Sequence, residues 1–173
     1  KNSKNNSNII KNLKHQVLIY AFGNISGGHF NPAVSFGVAL VDEKFSWRDF
    51  SAYSFFQLLG AMAAAGSYTL CFGKTFQVAP VAPFTWFECC WVELLYTGFL
   101  VFCVLNTAVA KANQGKEFYG LTIGFAIVAG GFATAAISGG CLNPAVAIAA
   151  DIISLGHGWS LAFTLAQLIG SAC

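Results

Sequence analysis

Residues 26–34 read SGGHFNPAV and residues 138–146 read SGGCLNPAV, differing only at His29/Cys141 and Phe30/Leu142. Asn is a favoured N-cap and Pro suits the first helical position, so Asn31-Pro32-Ala33 and Asn143-Pro144-Ala145 each read as a helix start. Such a pair supplies no nucleophile, no general base and no metal ligand. It supplies two amides that donate hydrogen bonds and two helix N-termini with positive potential. The Gly-Gly leads add open backbone, offering the carbonyls of Gly27, Gly28, His29, Gly139 and Cys141 as a polar lining. This chemistry passes neutral, hydrogen-bonding molecules such as water or a hydroxylated solute, and it opposes cations and protons.

The elements that must position these residues are short. Pro32 to Val41 is ten residues, about 15 Å of helix and half a membrane. The second run, Pro144 to Ala150, reads as shorter still, with Asp151 as its stop. Non-helical backbone at membrane depth is tolerated only where it is buried in protein or lines a watery cavity, which fits two half-helices meeting N-terminus to N-terminus.

The remaining chain has the composition of a membrane protein. It is 56% hydrophobic and 9% charged, against about 25% charged in a soluble domain. Stretches 17–41, 50–73, 94–110, 118–150 and 159–173 contain no Lys, Arg, Asp or Glu. Several reach the roughly 18 to 20 residues that span a bilayer. This excludes a soluble enzyme, a disordered chain and a nucleic-acid binder, the last also because the net charge is only +2. The six cysteines, 71, 89, 90, 103, 141 and 173, show no C-x-x-C and no His at ligand spacing, so no metal or cofactor is implied. A membrane enzyme built on Glu88, Cys89 and Cys90 fails because adjacent helical residues do not share a face.

The repeat continues past the motifs. Gln57-Leu58-Leu59-Gly60-Ala61 is echoed by Gln167-Leu168-Ile169-Gly170-Ser171, and three apolar segments, at about 50–72, 86–108 and 118–137, separate the two motifs. Three crossings invert the second copy relative to the first, giving halves related by an axis in the membrane plane. Lys44 and Arg48 share one loop and Lys111 and Lys116 another, which places both in the cytoplasm and the 73–85 loop outside.

On these residues the chain resembles the major intrinsic proteins, the aquaporins and glycerol facilitators, over residues 17–173; the polar head 1–16 does not share the resemblance. The resemblance implies an all-α membrane fold, an inverted-repeat bundle with two re-entrant half-helices, and a passive channel with no cofactor. It further implies a homotetramer in a lipid bilayer, at the plasma membrane or an intracellular vacuole membrane. Glu93, followed by Thr97, is similar to the embedded Glu that braces the second re-entrant loop, and Gln57 and Gln167 to structural Gln positions. Gly120 and Gly124 fit a close helix crossing.

The family's narrowest constriction corresponds here to Gly131, Gly140 and Val146. Val146 stands where the family usually has Arg, Gly131 where strict water channels have His, and Ala147 where glycerol facilitators carry Asp. A fourth position would align with Lys11, beyond the resemblance. The implied selectivity filter is wide and uncharged and would discriminate poorly among water, glycerol and urea. The alternative reading of Val146 is a non-conducting remnant or assembly subunit of the same fold. The ends read as incomplete: the family's first helix is absent, the second is represented by Val17 to Ile25 and the sixth by Trp159 to Cys173, as in a fragment or a misassembled gene model.

Overall fold

The computed structural model describes residues 17–113, 118–156 and 158–173, and every regular element among them is helical. In chain order these are α1 (Val17–Ser26), α2 (Pro32–Val41), α3 (Trp47–Phe72), α4 (Trp86–Val104), α5 (Tyr119–Thr134), α6 (Pro144–Ile153) and α7 (Trp159–Ala172). A π-helical turn, Leu105–Val109, prolongs α4, and a 3₁₀ turn, Lys111–Asn113, follows it. The fold is all-α with an inverted repeat, and α2 and α6 are the two half-helices.

Local chemistry sets most boundaries. The Ser46 N–H donates to Asp49 Oδ2 at 3.0 Å while the Asp49 N–H donates to Ser46 Oγ at 3.2 Å, a capping box that starts α3. The Thr85 N–H donates to Glu88 Oε2 at 2.6 Å at the start of α4. The long α3 ends at Gly73, whose φ of 60° is the left-handed stop that glycine adopts without a Cβ penalty.

Helix α6 runs three residues past the expected end at Ala150, through Asp151 to Ile153. An acidic side chain near a helix C-terminus is opposed by the dipole. Here Asp151 is held by partners instead: its Oδ2 accepts from Ser160 Oγ at 2.6 Å and the Ser160 N–H at 3.3 Å, and its Oδ1 from the Gly158 N–H at 3.2 Å. The half-helix is thereby tied to the start of α7.

Each half-helix has its own apolar surroundings. Val34 and Val38 of α2 pack with Ile19, Leu100, Val101, Val104, Ile123 and Ala126, while Ala147 of α6 packs with Cys89 and Phe163. The outer faces are apolar as well: Leu70, Phe102, Leu161 and Leu165 are exposed. A bilayer, not water, suits such a surface. Gly120 sits under the ring of Tyr20, where a Cβ would come within 2.7 Å of the ring edge, and Gly124 is buried. The crossing at Gly120 is therefore between α5 and α1.

Candidate functional site

The two re-entrant turns have the same backbone. Gly27, Gly28 and Phe30 have φ of 69°, 64° and 49°, and Gly139, Gly140 and Leu142 have 90°, 68° and 50°. The glycines adopt this region freely. Phe30 and Leu142 do not, and each carries strain of about 1 kcal/mol or more that the surrounding bonds must offset.

Those bonds come from the Asn side chains. Asn31 Oδ1 accepts the Ala33 N–H at 2.9 Å and Asn143 Oδ1 accepts the Ala145 N–H at 3.0 Å, so each Asn caps its own half-helix. Asn31 Nδ2 donates to the Leu142 carbonyl at 2.8 Å, and Asn143 Nδ2 donates to the Phe30 carbonyl at 2.9 Å. Each amide thus clamps the strained turn of the opposite half. One N–H of each amide is thereby committed to protein, which leaves one for anything passing the junction. Both Asn residues are buried.

Glu93 of α4 is fully buried and organises the second turn. Its Oε1 accepts from Ser138 Oγ at 2.6 Å and the Cys141 N–H at 3.0 Å, and its Oε2 from the Leu142 N–H and Gln167 Nε2, both at 2.7 Å. Four donors meet two oxygens. In the first half Gln57 Nε2 donates to Ser35 Oγ at 3.0 Å, and His29 Nδ1 lies 3.2 Å from the same hydroxyl. Ser171 Oγ donates to the Ala33 carbonyl at 2.5 Å, tying α7 to α2. Ser35 and Ser171 escaped the sequence reading, since a lone Ser in an apolar run carries no signal; Ser138 had one, as the first residue of the repeated motif.

Two openings meet the site. A cavity of about 20 Å³ is lined by Gly27, Gly28, His29 and Asn31 together with apolar side chains of α1, α2, α4 and α5. That is room for about one water. The apolar lining, Ile19, Leu100, Ile123 and Ile127 among it, had no sequence signature because such residues are common in any span. A wider groove of about 580 Å³ is lined by residues of α1, the first turn and α3, and by Asn143, Ala145 and Val146.

Of the filter positions, Val146 lies on this groove. Gly140 and Gly131 are neighbours: a Cβ on Gly140 would stand 3.0 Å from the Gly131 carbonyl and 3.2 Å from Thr134 Oγ1. A Cβ on Gly131 would meet open space. Gly139 is exposed, with Val78 its nearest neighbour, and the Cys141 thiol donates to the Asn143 carbonyl. His157 and Lys116, like Lys11 and the rest of the head, lie outside the described residues. Among the described residues no cluster of His, Cys, Asp and Glu could hold a metal.

Paired half-helices cross-clamped by Asn amides are matched by a family: residues 5–173 fit the major intrinsic proteins. The chain belongs to the major intrinsic protein family. The match begins within the first sixteen residues. Aquaporin NIP1-1 of Zea mays is 34% identical over 84% of this chain and 52% of its own length, and nodulin-26 of Glycine max is 31% identical over 94% and 60%. The chain spans about half the length of such relatives. The aquaglyceroporin of Plasmodium falciparum has the same fold, with a TM-score of 0.75 at 24% identity over 87% of this chain and 71% of that one. Major intrinsic proteins are integral membrane proteins, and this member has the corresponding bundle.

Proposed function

We propose that this major intrinsic protein is a passive membrane channel for water and small neutral solutes, without enzymatic chemistry. The observation that carries the reading is the reciprocal clamp of Asn31 and Asn143 beside a cavity sized for one water. Two opposed helix N-termini put positive potential at the Asn junction, and each Asn retains an N–H for a solute oxygen. A cation meets repulsion there and finds few acceptors to replace its hydration shell. A neutral hydroxyl or water finds donors at the junction and backbone carbonyls at the Gly27-Gly28-His29 approach.

The filter of this channel is Gly131, Gly140 and Val146, wide and uncharged, so glycerol and urea pass with water. Two glycines in mutual contact support the width, since neither contributes side-chain volume. Assembly as a homotetramer follows the family pattern.

Vesicles containing the folded chain are expected to shrink faster than lipid vesicles under an osmotic step, measured by stopped-flow light scattering. A lipid-only rate from folded protein would overturn the channel reading in favour of a non-conducting subunit.

A further inference from the structure

The three filter positions proposed above have counterparts in the first half of the repeat. Gly131 stands twelve residues before Asn143, Gly140 three before it and Val146 three after it; at the same places around Asn31 stand Ile19, Gly28 and Val34. The correspondence holds in three dimensions. Ser26 Oγ donates to the Phe22 carbonyl and Ser138 Oγ to the Thr134 carbonyl, both at 3.4 Å, so α1 and α5 enter their turns alike. A Cβ on Gly140 would stand 3.3 Å from Gly131 Cα, and a Cβ on Gly28 would stand 3.4 Å from Ile19 Cα. Each turn therefore approaches the equivalent point of the helix before it.

The two sets differ at one position. Gly131 has no side chain, and a Cβ there would meet open space, whereas Ile19 carries a buried four-carbon side chain. Ile19, Gly28 and Val34 all line the cavity of about 20 Å³, which has room for about one water. Leu100 with Val104 on α4, and Ile123 with Ile127 on α5, are pairs four residues apart that share a helix face and close the same cavity. The α5 row continues four residues on to Gly131. One face of α5 is thus bulky at the inner cavity and bare at the outer filter.

We infer that Ile19, Gly28 and Val34 form a second, inner constriction, and that this constriction, rather than Gly131, Gly140 and Val146, sets how fast solutes larger than water pass. The inference rests on the channel reading. Glycerol and urea enter through the wide outer filter and are slowed at Ile19. Hydrogen-bonding groups in the inner cavity are confined to the Gly27-Gly28-His29 turn and Asn31, and hydrocarbon from α1, α2, α4 and α5 supplies the rest of its wall. A water keeps partners on the polar side. Glycerol, with three hydroxyls, must turn at least one toward hydrocarbon, where the lost hydration is not replaced. The Ile19 side chain also occupies the width that the larger solute needs.

The test is made in vesicles holding the 173-residue protein, with glycerol, urea and water fluxes read by stopped-flow light scattering. Ile19→Ala gives the inner set a small residue at the position where the outer set has glycine, and it is expected to raise glycerol and urea flux threefold or more while water flux changes less than twofold. Ile127→Ala opens the same cavity from a partly buried position and is expected to act in the same direction without truncating the fully buried site. Gly131→Ile copies the inner side chain into open space at the outer filter and is expected to halve glycerol flux, as two equal barriers in series do. Gly66→Ala, on α3 and absent from the cavity lining, leaves all three fluxes unchanged. A conducting parent whose glycerol-to-water ratio is moved by neither isoleucine variant overturns the inner constriction and leaves the channel reading standing. A tenfold or greater loss of glycerol flux in Gly131→Ile, with both isoleucine variants unmoved, does the same by placing the limit at the outer filter. Parent and variants all at the lipid-only rate, in folded protein, overturn the channel reading and the inner constriction with it, whereas a silent parent that conducts once Ile19 or Ile127 is trimmed supports both.

Discussion

Val146 is a branched apolar side chain on the wall beside Asn143, three residues after that cap of α6. Val146→Arg places a fixed positive charge in a low-dielectric passage, where one charge weighs heavily against a cation, and it fills space. It is expected to lower glycerol and urea flux more than water flux and to suppress any cation leak, by paired solute and osmotic assays in vesicles. An unchanged glycerol-to-water ratio in a folded protein would remove Val146 from the constriction. Glu93 is the opposite kind of residue, one whose charge serves the backbone. Glu93→Gln replaces one acceptor oxygen by a donor and sets it against at least two of four existing donors. At roughly 1.5 to 3 kcal/mol for each bond to a charged group, the loss is about 3 kcal/mol or more. Thermal unfolding in detergent, followed by circular dichroism, should show a clearly lowered midpoint, whereas a midpoint within error of the parent would mean that the turn is held without the carboxylate.

At the scale of elements, equivalent glycines in the two halves stand in unlike surroundings. Gly170 lies where α7 touches the Leu94 carbonyl of α4, while Gly60 on α3 faces open space. Gly170→Ala forces the two backbones apart and is expected to cost about 1 to 3 kcal/mol, the usual range for overpacking. Gly60→Ala meets no neighbour and removes a poor helix former from a helix interior, so it is expected to stabilise by up to about 1 kcal/mol. Measured in the same detergent, the unfolding midpoints should therefore fall in the order Gly60→Ala, parent, Gly170→Ala. Equal effects at the two positions would contradict the packing difference between the halves. The short half-helices are governed by other rules. Their ten residues are too few for stability in isolation, and the Asn caps, the Asp151 tie and the Ser171 bond supply what length does not.

For the molecule as a whole, the inverted repeat and the basic loops set orientation. Lys44 and Arg48 flank the start of α3, Lys111 follows α4, and the α3–α4 connection carries only Lys74. An acceptor site for N-glycosylation inserted within residues 75–80 is expected to be modified in microsomes, while the same insertion within residues 42–45 is not. The reverse pattern would turn the bundle over. The exposed apolar belt, with Leu70 on α3, Phe102 on α4 and Leu161 and Leu165 on α7, suits contact with lipid.

The linear sequence determined the membrane class, the three segments between the motifs, the inversion they impose and both half-helix starts, because each rests on local chemistry: uncharged length, an Asn cap, a Pro at the first turn. It also pointed to Glu93, since a charge inside an apolar run stands out. It missed the extent of α6, because the three donors that satisfy Asp151 come from the far side of the following turn. Only tertiary structure decided that the Asn amides clamp each other's turns and that Ser35 and Ser171 take part. The Asn and Ser171 bonds pair residues more than a hundred positions apart, such as Asn31 with Leu142 and Ser171 with Ala33, and Ser35 meets Gln57 from the next helix. Residue types and spacing specify what each partner can bond. Which partner it meets is set by how the helices cross, and that depends on glycines whose neighbours no local pattern names.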